Sequence, residues 1–136
     1  LNEDHARAAG YDPRAIRGVA GLAGPYGFYF NNPTIRIAFG DRPDPFHMHA
    51  VRFARADAPP LLLLTGDADR RVPVRAGAEM RDAAHAAGGQ AELVVYENLD
   101  HPGILQALAP AKRDRAPVFA DVLSFARRVT GGAQAR

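Results

Sequence analysis

The sequence predicts an α/β fold, a parallel sheet covered by helices. Three observations point to it. Leu61-Leu62-Leu63-Leu64-Thr65 is an apolar run without alternation, as a strand buried on both faces requires. Residues 74–87 then place Ala76, Met80, Ala83, Ala84 and Ala87 on one helical face. Leu93-Val94-Val95-Tyr96 follows as another strand. Strand, helix and strand at this spacing form a βαβ unit, whose strands must run parallel with a right-handed crossover.

The remaining elements follow in order. Residues 3–9 are rich in Ala, Glu and Arg and read as a helix that Gly10 stops. Asp12-Pro13 joins an N-cap to a proline suited to the first helical position, and opens a short turn. Val19-Ala20-Gly21-Leu22-Ala23 is a second unalternating apolar run. It is expected as a central strand, buried on both faces. Gly24-Pro25-Tyr26-Gly27 ends it in a turn. Residues 25–57 interleave prolines and glycines with aromatic and basic side chains, and a short helix is expected over 34–39. A connection of that length suits a pocket wall or lid. The segment is therefore expected to be a pocket-lining insertion, with Pro25, Tyr26 and Phe28 against substrate. After the βαβ unit, a last helix is expected from Pro117 to about Gly131. Val118, Phe119, Val122, Leu123, Ala126 and Val129 form its apolar stripe.

Composition narrows the function classes. A length of 136 residues allows one domain at most. Apolar residues at 47% and charged residues at 24% exclude a disordered or collagen-like chain. The net charge is only +2, and the arginines are scattered, so nothing draws the chain to nucleic acid or an anionic membrane. There is no cysteine, which excludes disulfides, cysteine zinc sites and thiol catalysis. The run 61–64 is the longest strongly apolar stretch, far short of the roughly 20 residues of a membrane span. The first residues, Leu1-Asn2-Glu3-Asp4-His5, carry no signal-peptide pattern. These residues fix neither compartment nor oligomeric state.

Chemistry in open α/β sheets gathers at the carboxyl ends of the strands. One such end carries Gly66-Asp67-Ala68-Asp69-Arg70-Arg71-Val72-Pro73, the next Glu97-Asn98-Leu99-Asp100-His101-Pro102-Gly103. Adjacent parallel strands set these loops side by side. A carboxylate and an imidazole can then meet as the acid and base of a nucleophilic triad. His47-Met48-His49 lacks a third ligand at zinc-like spacing, so no metal is expected. Nor is any organic cofactor. The single serine, Ser124, sits in Val122-Leu123-Ser124-Phe125 and reads as an ordinary residue of the last helix.

The segment from Leu61 through Gly66-Asp67-Ala68-Asp69-Arg70-Arg71-Val72-Pro73 resembles the acid-bearing G-x-x-D-x-x-V-P segment of α/β-hydrolases. Leu93-Val94-Val95-Tyr96 through Asp100-His101 resembles their last strand and histidine loop. Residues 19–26 resemble the preceding core strand and Gly-Pro-Tyr loop of carboxylesterase-like members. The resemblance spans nearly the whole chain. It is nearest to the carboxylesterase, lipase and arylformamidase-like branch, and covers the C-terminal half of such a sheet, an incomplete domain. It implies that Asp69 is the catalytic acid and His101 the base, with Asp67 a loop-capping carboxylate. It further implies a small-molecule ester as substrate.

The family's order is Ser, acid, His, with the serine on a G-x-S-x-G elbow. That elbow and the H-G-G-G oxyanion loop do not occur in these 136 residues. The nucleophile is therefore expected upstream of Leu1, and the 136 residues alone are expected to be inactive. Three alternatives stand beside the esterase. A serine peptidase of the prolyl-oligopeptidase type shares both motifs, and a truncated non-catalytic hydrolase would retain them. A doubly wound binding module would need a glycine-rich phosphate loop, which the sequence does not contain.

Overall fold

Six consecutive residues of one strand, Leu61–Gly66, are buried, and the molecule is organised around them. The computed structural model describes residues 3–27 and 49–131; the helix expected over 34–39 and the pocket residue Phe28 lie outside them. The elements are α1 (Glu3–Ala8), β1 (Val19–Leu22), β2 (Leu61–Gly66), α2 (Val74–Ala86), β3 (Ala91–Tyr96), α3 (His101–Gln106) and α4 (Val118–Thr130). Single 3-10 turns lie at Pro13–Ala15, Ala50–Phe53 and Pro110–Lys112. In the first, Asp12 caps the turn as its sequence requires, accepting from the Arg14 amide.

The described sheet has three strands in the order β1-β2-β3, all parallel. Leu61 faces Val19 on one side and Ala91 on the other; the last β2–β3 pair is Gly66 with Tyr96. Side chains of β2 alternate between two cores. Leu62 and Leu64 pack with Tyr96, Leu99, Ile104, Val118 and Phe125, under α3 and α4. Leu61 and Leu63 pack with Met80, Ala84 and Ala91, under α2. Apolar matter on both faces explains why β2 reads as an unbroken leucine run. Each such leucine is worth about 1.5–3 kcal/mol of transfer free energy.

Two expectations require correction. The run 19–23 is expected to be central and buried on both faces, but only Ala23 is buried, and Val19–Leu22 are all partly buried. Among the described residues β1 pairs with β2 alone, so its other edge has no strand beside it. β3 begins at Ala91, two residues before the apolar run expected to define it. Alanine and glutamate are poor strand formers. Pairing to Leu61 and Leu62 recruits them regardless.

The helices end as their sequences indicate. Gly88 takes φ +82° after α2. Its amide and that of Gly89 donate to the His85 and Ala84 carbonyls, a Schellman closure. His85 is exposed, and its ring bonds the Ala91 carbonyl. α4 buries Val118 and Phe125 and places Arg127 and Arg128 in its last turn, where their charge suits the helix dipole. Ser124 lies within this helix, as expected, and is exposed.

Candidate active site

The carboxyl ends of β2 and β3 carry the two ionisable groups that the sequence singles out. β2 stops at Gly66, and a tight turn follows in which the Asp69 amide donates to the Gly66 carbonyl at 3.2 Å. This turn points the Asp69 carboxylate inward, and its side chain is fully buried. Oδ1 accepts from the Arg71 and Val72 amides, both at 2.8 Å. Oδ2 accepts from His101 Nδ1 at 2.7 Å. Burial alone would push the Asp69 carboxyl up. The Val72 amide, His101 and the Arg71 amide outweigh it and hold the carboxyl below its ordinary value of 3.8. Asp69 therefore stays ionised near neutral pH.

His101 arrives from the other strand. The sequence suggests a loop there, but His101 is the first residue of α3. Asp100 caps this helix by accepting from the Gly103 amide at 2.9 Å, and Pro102 suits the first turn. The Asp-x-Pro pattern is of the same kind as Asp12-Pro13, a capping carboxylate with a proline inside the first turn, and it is the local signal for this helix. Capping fixes the first turn, and the buried Ile104 seats α3 in the core. The imidazole keeps about a quarter of its surface exposed, 26%. An ionised acceptor at Nδ1 requires the proton to sit there, which leaves the Nε2 lone pair available.

A second contact between the loops has no signal in the sequence. Asp67, expected to cap its own loop, instead reaches across. Its Oδ1 accepts from the Asn98 amide at 2.6 Å. Its own amide donates to the Tyr96 carbonyl at 3.0 Å. No periodicity or local motif marks a bond between residues so far apart in the chain.

Of the expected pocket residues, Pro25 and Tyr26 are among the described ones, and neither contacts Asp69 or His101. Pro25 is exposed. Tyr26 packs with the α2-side core, its ring over Gly21 and Gly24, and burial pushes its phenol up to about 12. α3, with His101, lies on the opposite face. A cavity of about 290 Å³ opens at the other end of the sheet, between Arg17, Leu61, Gln90, Phe125 and Arg128, and neither Asp69 nor His101 lines it. Among the described residues no group of three His, Cys, Asp or Glu is placed to hold a metal. No described helix is long and apolar enough to cross a membrane.

The sequence profile of the prolyl oligopeptidase family matches residues 26–133, most of the chain and both loops of the site. The chain belongs to the prolyl oligopeptidase family. The sequence motifs place this family second to the esterase branch. No curated protein matches the chain. Among solved structures the similar folds include three esterases or hydrolases. One is a truncated carbohydrate esterase from gut microbiota: 18% identity, TM-score 0.67, covering 85% of this chain and 43% of that one. Another is Thermogutta terrifontis esterase 2: 20% identity, TM-score 0.63, covering 87% of this chain and 42% of that one. The third is an acetyl ester-xyloside bifunctional hydrolase from Caldicellulosiruptor lactoaceticus: 18% identity, TM-score 0.57, covering 71% of this chain and 38% of that one. At such identities the likeness concerns the fold, an α/β-hydrolase-type sheet. The chain spans less than half the length of each of these structures.

Proposed function

We propose that this chain carries the acid and the base of a serine hydrolase triad, and that the complete protein cleaves esters. The observation that carries the reading is the bond from His101 Nδ1 to a buried, doubly amide-bonded Asp69 at 2.7 Å. In this reading a serine on an elbow upstream of Leu1 attacks the ester carbonyl. His101 Nε2 takes the serine proton as the bond forms and returns it to the leaving alkoxide. Asp69 holds the ring in the required tautomer and stabilises the imidazolium between the two transfers. Water then repeats the sequence on the acyl-enzyme. Family membership favours a second reading, in which the scissile bond is a peptide and His101 protonates an amine.

The test takes the longer gene product that includes the residues preceding Leu1. It should contain G-x-S-x-G, react with a fluorophosphonate at that serine, and hydrolyse short p-nitrophenyl esters faster than peptide p-nitroanilides. His101→Ala should lower kcat by about 10⁶. Faster peptide cleavage selects the second reading. Hydrolysis that survives His101→Ala, or a gene without the elbow, overturns both.

A further inference from the structure

We propose that Asp67 is a positioning residue, which fixes the loop carrying His101 so that the imidazole stays on Asp69. The proposal rests on the triad reading for its importance, but its geometry is independent of any nucleophile. The β2–β3 ladder ends at Gly66 and Tyr96. From Tyr96 to His101 the sheet supplies no further register, and the intervening residues must be held by something else.

Leu99 is anchored in the core, and the turn that bears Asp69 adds three further contacts. The Asp67 amide donates to the Tyr96 carbonyl and extends the ladder by one bond. Gly66 lies so close to the Leu99 carbonyl that a Cβ there would collide with it. The Asp67 carboxylate takes the Asn98 amide at 2.6 Å, and of the three this contact alone carries charge. Asn98 has φ +56°, a left-handed conformation that asparagine adopts more readily than other side-chain-bearing residues. The bond to Asp67 holds its amide in place there. One short turn thus grips the histidine loop twice, at Asn98 through Asp67 and at His101 through Asp69. Asp67 bonds backbone here, so it acts through His101 and not on substrate.

The experiment follows the His101 Nδ1 proton by ¹H NMR in the longer gene product, as a low-field signal with a measured solvent-exchange rate. Asp67→Ala should speed that exchange about tenfold or more, since it removes a charge-assisted bond. Asp67→Asn retains an acceptor oxygen and should stay within about twofold of wild type. Asp67→Glu lengthens the arm by one methylene and should resemble the alanine variant; it serves should the alanine chain fail to fold. Unchanged exchange in both the Ala and Glu variants overturns the proposal. So does an Asn variant as fast as Ala. Loss of the fold in both Ala and Glu also overturns it, because Asp67 would then hold the domain and not the pair. Hydrolysis by the longer gene product separates the two readings. Faster exchange in Asp67→Ala with no hydrolase activity keeps this role and removes the proposed function. Unchanged exchange with full activity does the reverse.

Discussion

Replacing Asp69 by alanine should destabilise the chain by about 3–5 kcal/mol, and replacing it by asparagine by only about 1–2 kcal/mol. The figures come from counting what each variant leaves unpaired. Alanine strands three donors: the Arg71 amide, the Val72 amide and His101 Nδ1. Val72 is 3% exposed, so water cannot replace its lost acceptor, and an orphaned buried donor costs about 1–3 kcal/mol. Arg71 is exposed, and water meets most of its need. The His101 bond is to a charged group, worth about 1.5–3 kcal/mol, of which partial exposure of the ring returns a share. Asparagine keeps Oδ1 for both amides, and its NH₂ can donate to His101 Nδ1 only once the ring proton has moved to Nε2, with loss of the charge-assisted bond. Urea unfolding at neutral pH, followed by far-UV circular dichroism, measures both variants against wild type. An alanine variant within about 1 kcal/mol of wild type would refute the reasoning, as would an asparagine variant as costly as alanine.

The same carboxyl gives the chain a pH dependence. Its folded pKa lies below the ordinary 3.8, so its stabilisation is complete above about pH 4 and is lost as pH falls through the folded value. Wild type should lose stability more steeply than Asp69→Asn over that acid range, and parallel slopes would contradict the shift. Gly66→Ala drives a methyl into the Leu99 carbonyl and should cost at least about 1–3 kcal/mol, with shifted NMR signals for residues 97–101; a neutral substitution in the same urea assay would disprove the close approach. Ile104→Ala empties a fully buried site beside β2 and should cost about 2–5 kcal/mol. A loss under about 1 kcal/mol would show that α3 is not seated in that core.

Much of the site is legible in the sequence because its signals are local. Asp69 stands in a G-x-x-D-x-x-V-P segment, and both of its amide partners lie within three residues of it. His101 follows a strand at a distance that suits one helix and one strand from Asp69. The β2 leucines declare burial on both faces, and Gly88-Gly89 declares a helix end. The partial burial of β1, the early start of β3 and the packing of Tyr26 into the α2-side core are not legible. Each depends on what stands beside the residue in space. An apolar run requires apolar neighbours without naming them, and Ala91 joins a strand because Leu61 needs a partner.

The sequence by itself determined the α/β class, the βαβ unit and the identity of the two ionisable residues, since periodicity, caps and short motifs act over a few residues. Only the tertiary structure decided that Asp69 and His101 meet at 2.7 Å, and that Asp67 crosses to Asn98. Those contacts join residues more than thirty positions apart, and the parallel register of β2 against β3 brings them within reach. Hydrogen bonds over that separation leave no periodic trace in a chain; they exist only once the sheet has set the two strand ends side by side.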